Sequence, residues 1–125
     1  MLRKSLVLLV MAGVVSAALV SGAFATTRST PLLVGSVGPG FTISLKKAGK
    51  NVTTLKAGSY KLQIHDKAAI HGWSLDGPNG FAKDIAKVPF VGTTKTITLK
   101  LKAGKYKFYC PPHESSMFGH FTVTK

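Results

Sequence analysis

Tyr106-Lys107-Phe108-Tyr109-Cys110-Pro111-Pro112-His113-Glu114-Ser115-Ser116-Met117 is an alternating strand that runs straight into a loop of metal-ligand side chains. Tyr106, Phe108 and Cys110 share one parity and Lys105, Lys107 and Tyr109 the other, so the segment predicts a strand with one wet face and the Cys110 sulfur turned inward. Two prolines then stiffen the turn, and a thiolate, an imidazole and a thioether follow one another within eight residues. A buried lone thiol is usually inert packing. Alternatively, Cys110, His113 and Met117 fall on one helical face at i, i+3 and i+7, with Pro111 at the helix start. Gly119 arrives too soon for a packed helix, and the ligand types, their spacing and the strand before them favour a metal loop.

The same alternation recurs outward along the chain. Phe41, Ile43 and Leu45 oppose Thr42, Ser44 and Lys46; Tyr60, Leu62 and Ile64 oppose Lys61, Gln63 and His65; Ile97, Leu99 and Leu101 oppose Thr96, Thr98 and Lys100. Phe121 and Val123 close the pattern. Short strands separated by Gly-containing turns, with no sustained helical stripe, predict an all-β, Greek-key antiparallel sandwich of about seven to eight strands. Leu55-Lys56-Ala57-Gly58-Ser59-Tyr60-Lys61-Leu62 is echoed 46 residues later by Leu101-Lys102-Ala103-Gly104-Lys105-Tyr106-Lys107-Phe108. Each copy places a glycine two residues before a tyrosine that opens a strand, the pattern of a tyrosine corner. Leu75-Asp76-Gly77-Pro78-Asn79-Gly80 is dense in turn formers. Residues 76–92 are expected as a long connection, with room for a turn of helix within Phe81–Val88 or a short strand over 85–88.

A second imidazole lies upstream in Ile70-His71-Gly72-Trp73-Ser74-Leu75. His71 shares parity with Trp73 and Leu75, so it points inward if the tryptophan is core. An inward histidine is often just a hydrogen-bonded core residue, but the downstream Cys-x-x-His changes that balance, because trigonal copper needs two imidazoles. His71, Cys110, His113 and a weak axial Met117 together make the metal-ligand set of a blue-copper site. Such a set suits both oxidation states: Cu(I) prefers soft sulfur, Cu(II) prefers nitrogen, and the long Met bond accommodates each. Pro111 has no N–H to offer the thiolate, and Phe108 and Phe118 are expected to keep water from it. His65 and His120 have outward parity and are assigned to the surface.

The N-terminus reads as a targeting segment. Arg3 and Lys4 precede an apolar run from Leu6 to Val20, and Ala23-Phe24-Ala25 fits a small-x-small cleavage site. Residues 1–25 are therefore expected as a signal peptide, 26–37 as an N-terminal lead and 38–125 as the copper-binding domain. An uncleaved membrane anchor is the competing reading. The expected location is exported, either periplasmic or extracellular at the cell envelope. The chain has 125 residues, 17 Lys+Arg against 4 Asp+Glu, and a formal charge of +13, which falls to +11 without Arg3 and Lys4. One cysteine rules out an intrachain disulfide and a two-cysteine binuclear copper centre. The lysines are spread along strands instead of clustering in an arginine-rich block, so a solvated basic surface is favoured over a nucleic-acid site. An acidic redox partner or a peripheral anionic surface suits this charge, and no nucleic acid is expected. With four acids and no hydrolytic triad, an enzyme is not expected.

His71, then Cys110-Pro111-Pro112-His113 and Met117, resembles the cupredoxins of plastocyanin and pseudoazurin type, and among them the small secreted bacterial plastocyanin-like proteins. The resemblance covers roughly residues 38–125 and includes Gln63-Ile64-His65-Asp66, His71-Gly72-Trp73-Ser74-Leu75-Asp76-Gly77-Pro78 and Phe118-Gly119-His120-Phe121-Thr122-Val123. It implies a monomeric one-electron carrier with one Cu(I)/Cu(II) ion of type 1 and the exposed edge of His113 as the electron port. Copper storage, delivery or resistance with the same ligands is the alternative, and a metal-free domain binding anionic polymers is a third. Two departures stand out. Plastocyanins usually carry one more residue between the second histidine and the methionine, and commonly have Asn where Gly72 stands.

Overall fold

Period-2 patterning governs nearly every ordered segment of this computed structural model, which describes residues 28–125 together with 13, 16–19 and 22. The expected signal segment, 1–25, and its cleavage point lie almost wholly outside the described residues. Among those residues there are eleven strands: β1 (Leu32–Val37), β2 (Ile43–Lys47), β3 (Lys50–Asn51), β4 (Thr54–Lys56), β5 (Gly58–Asp66), β6 (Trp73–Asp76), β7 (Ala82–Ala86), β8 (Gly92–Thr93), β9 (Ile97–Leu101), β10 (Gly104–Tyr109) and β11 (Phe118–Thr124). The count exceeds the expected seven to eight because β3, β4 and β8 are ladders of only two or three residues, too short to alternate visibly in sequence. No helix of the described residues is long and apolar enough to cross a membrane.

The strands form two sheets. The first runs β3-β2-β1-β5-β8, with β9 also paired to β5, and the second runs β4-β11-β10-β6-β7. Most pairings are antiparallel, but β1 with β5 and β4 with β11 are parallel, since the intervening chain crosses between sheets. The inner faces meet in one core. Leu33, Val37, Leu45, Tyr60, Leu62, Ile64, Leu99 and Leu101 pack from the first sheet; Leu55, Trp73, Leu75, Tyr106, Phe108, Phe121 and Val123 pack from the second.

Two boundaries differ from the expected ones. The stretch 26–37 is not only a lead: Leu32–Val37 is an internal strand, held by β2 on one side and β5 on the other. Its alternation is masked because Gly35 occupies one of the inward positions, where a side chain would run into Ile64 and Trp73. The strand expected over 85–88 within the connection 76–92 starts earlier and is Ala82–Ala86. After a 3₁₀ turn at Pro78–Gly80, β7 pairs with β6 over Trp73–Asp76. Its Ala82-Lys83-Asp84 start carries no apolar signal because β7 is an edge strand exposed over those residues.

Both copies of the internal echo are tyrosine corners. The Tyr60 hydroxyl donates to Lys56 O at 2.7 Å, and that of Tyr106 donates to Lys102 O at 2.9 Å while accepting from Lys102 N–H at 3.1 Å. Tyr106 therefore satisfies both backbone groups of one residue, whereas Tyr60 satisfies one. Tyr106→Phe is expected to destabilise by about 1–3 kcal/mol, more than Tyr60→Phe, because it strands an additional backbone donor. Urea unfolding of the metal-free protein measures the difference, and equal losses would contradict it.

Candidate metal centre

Strand β10 carries Tyr106 and Phe108 into the core, and the same parity delivers Cys110, 0% exposed, at its end. The loop then closes on itself. Cys110 N–H donates to Met117 O (3.0 Å), His113 N–H to Cys110 O (3.0 Å) and Met117 N–H to His113 O (2.8 Å). Pro111–His113 form a 3₁₀ turn, with proline at the first helical positions, where no N–H is required. The segment is thus a tight turn stapled at its neck, and not the packed helix that the i, i+3, i+7 spacing also allowed. Met117 is buried beneath it at 1% exposure.

His71 comes from the turn between β5 and β6, where its N–H donates to Ala68 O at 3.2 Å. It is 0% exposed. Across the sandwich end its Nδ1 lies 3.3 Å from His113 Nδ1 and 3.7 Å from Cys110 Sγ, and His113 Nδ1 lies 3.6 Å from that sulfur. These three atoms form a nearly equilateral triangle whose centre is about 2 Å from each corner, the length of a first-row metal–nitrogen bond. This is the one cluster of metal-ligating groups of its kind among the described residues. Two nitrogens and a thiolate in a trigonal array suit copper. His65 and His120 stay outside it, as parity predicts: His65 Nδ1 is 2.9 Å from Thr93 Oγ1 and His120 is exposed beside Phe118.

The two ligand segments are braced by backbone. Gly72 N–H points at Cys110 Sγ over 3.4 Å, a donor that Pro111 cannot supply. A Cβ at Gly72 would sit 2.9 Å from Ala86 O and 3.3 Å from Pro111 Cδ. The packing of β7 and of the proline thus leaves little room for a side chain at this position. Gly38 holds φ +76°, and a Cβ there would come 3.0 Å from His71 Cδ2, so glycine lets the loop before β2 close over the imidazole.

Phe41 was missed by parity. It precedes β2 instead of lying on it, is 64% exposed, and sets its ring edge-on to both His71 (5.6 Å) and His113 (5.1 Å). The Gly38-Pro39-Gly40 run just before it was the available signal that the strand had not yet begun. Phe118, expected to keep water from the sulfur, is instead 46% exposed on the outer face of the second sheet, with Lys107 over its ring. Phe108 does lie inward, stacked on Trp73 at 5.6 Å with an interplanar angle of 3°. Near the site, the Asp66 carboxyl is pushed above the usual carboxylate range by burial, against the opposing pull of the Ala68 N–H and of His71.

A two-sheet β-sandwich carrying one buried His/Cys/His centre at its end, with a methionine below the loop, is a cupredoxin with the donor set of a type 1 copper site. The chain belongs to the family described as copper binding proteins, plastocyanin/azurin family, whose model matches residues 36–124. Solved structures of the same fold include a rusticyanin mutant, 20% identical over 78% of this chain and 80% of that one with a TM-score of 0.54. Rusticyanin from Thiobacillus ferrooxidans is 22% identical, over 78% and 79%, with a TM-score of 0.50. A reduced amicyanin mutant is 15% identical, over 78% and 86%, also at 0.50. No curated protein sequence matches the chain.

Proposed function

We propose that this protein is an exported one-electron carrier in which His71 Nδ1, Cys110 Sγ and His113 Nδ1 hold a single type 1 copper, with Met117 as the weak axial ligand. The observation that carries the reading is the donor triangle itself, assembled from two segments that the core and the loop hydrogen bonds hold in place. Bound copper supplies a one-electron couple between Cu(I) and Cu(II). The chain's contribution is rigidity and exclusion of water: β10 fixes Cys110, the stapled turn fixes His113, and Gly72 N–H holds the sulfur on its remaining side. A donor set that hardly moves keeps the geometric cost of electron transfer small.

His113 is the one member of the triangle that reaches the surface, being half-buried while the other two are enclosed. Its rim is apolar, with Phe41 against the ring and the exposed Pro111 and Pro112 beside it. That edge is the proposed electron port. The surrounding lysine-rich surface steers an acidic redox protein, with association rates that fall as salt rises; contact with an anionic envelope surface uses the same charge. The apolar run and small-x-small site near the N-terminus support export. Copper storage or delivery is disfavoured by the burial of His71 and Cys110, since handing on the ion requires an incoming ligand to reach it.

The deciding experiment is a visible spectrum of the protein with one equivalent of Cu(II), before and after ascorbate. An intense thiolate-to-copper band that bleaches and returns on reoxidation is expected. Weak colour, together with copper transfer to an acceptor protein, would favour delivery. Met117→Leu is expected to retain the copper while moving the reduction potential, because the axial ligand tunes it. If neither spectrum nor potential changes, Met117 is not axial.

A further inference from the structure

Two buried side-chain polar atoms lack a hydrogen-bond partner among the described residues: Asp66 Oδ2 and His71 Nε2. The first can only accept when the carboxyl is ionised. The second carries the ring proton whenever the neutral imidazole offers Nδ1 to a metal. Burying either without a partner is costly. That the two are complementary, and lie five residues apart on the same turn, points to a shared solution.

Ala68 ties them together. Its N–H donates to Asp66 Oδ1 at 3.1 Å, and its carbonyl accepts His71 N–H at 3.2 Å. Gly38 faces both groups: a Cβ built there would lie 3.0 Å from His71 Cδ2, the carbon bonded to Nε2, and 3.6 Å from Ala68 N, which holds the carboxylate. Asp66 is 2% exposed and His71 0%, so bulk water serves neither orphan.

We propose that Asp66 is a positioning residue for His71: its free Oδ2 accepts the Nε2–H across one buried water, and so holds the ring in the tautomer that presents Nδ1 to Cys110 and His113. This rests on the ligand reading above. A carboxylate behind a ligating imidazole also raises the basicity of the ligand and favours the higher charge on the metal, which lowers the reduction potential. The plain competing role for Asp66 is to cap its own turn through Oδ1 and Ala68 N–H. Asparagine would keep that cap and nearly the same volume, so Asp66→Asn separates the two roles.

The test uses the copper protein reduced with ascorbate, labelled with ¹⁵N in its histidines, and NMR of the His71 ring. In the wild type, Nε2–H is expected downfield and slow to exchange with solvent. In Asp66→Asn the blue band of the oxidised form should persist, Nε2–H exchange should accelerate by about tenfold as the charged acceptor is lost, and the potential should shift upward. Unchanged Nε2–H exchange and an unchanged potential would reduce Asp66 to a turn cap and overturn the proposal. If the variant does not fold, the wild type decides alone, because a freely exchanging Nε2–H is incompatible with the link. Absence of the blue band in the wild type would instead overturn the ligand assignment and this proposal with it, a result distinct from an intact band with an unmoved Nε2–H.

Discussion

Cys110→Ser is expected to abolish the intense visible band of the copper-loaded protein while leaving the fold intact. The band requires a thiolate, and a serine hydroxyl stays protonated at neutral pH and is a poor ligand for Cu(I). Loss of a partner behind a ligand costs roughly 10–100-fold in metal affinity, and loss of the ligand itself should cost more than that. The exchange is nearly isosteric, and Gly72 N–H, now 3.4 Å from the sulfur, faces the new hydroxyl and can donate to it. Unfolding of the metal-free variant should therefore stay close to wild type. Absorption and copper titration together check this result: a retained blue band would remove Cys110 from the site, and a collapsed fold would make it a packing residue.

Trp73→Ala carries the largest expected loss of stability. Trp73 is 0% exposed, stacked on Phe108, and its indole N–H donates to Ser44 O at 3.3 Å, bridging to the opposite sheet. Truncating a buried aromatic of this kind costs about 3–5 kcal/mol, a large share of the roughly 5–15 kcal/mol that holds a domain together. At about 4–8 °C per kcal/mol for a domain of this size, the metal-free protein should melt well over ten degrees lower. The damage also reaches the site, because Trp73 lies two residues beyond His71 and Phe108 two before Cys110. Copper, which binds the folded form, should recover part of the loss. Thermal melts with and without copper measure both effects, and a shift of only a few degrees would show that the stack does not carry the core.

Much of this was legible in sequence because strand parity is a local property. The inward parity of Tyr106, Phe108 and Cys110, and of His71, Trp73 and Leu75, follows from the two-residue period alone, and the described structure places all six as that period requires. The echoed tyrosine segments were legible for a similar reason, since each corner closes over four residues. Parity failed where an element does not bury a face. β7 is an exposed edge strand, and β1 conceals its alternation behind Gly35, whose meaning depends on Ile64 and Trp73 from elsewhere in the fold. Phe41 was misplaced because it sits two residues before its strand begins.

The sequence by itself determined the all-β class, the ligand types and the loop that bears Cys110, His113 and Met117, because each depends on side-chain chemistry and short-range periodicity. Only the tertiary structure decided that His71 reaches that loop across 39 residues of chain, with its Nδ1 3.7 Å from the sulfur. It also decided that Gly72 is hemmed in by Ala86 and Pro111, that Phe41 lies against the imidazoles, and that Asp66 and His71 are buried with one free polar atom each. The physical reason is the same in every case: these are contacts between segments distant in sequence, and their distances are set by how two twisted sheets pack around a shared core.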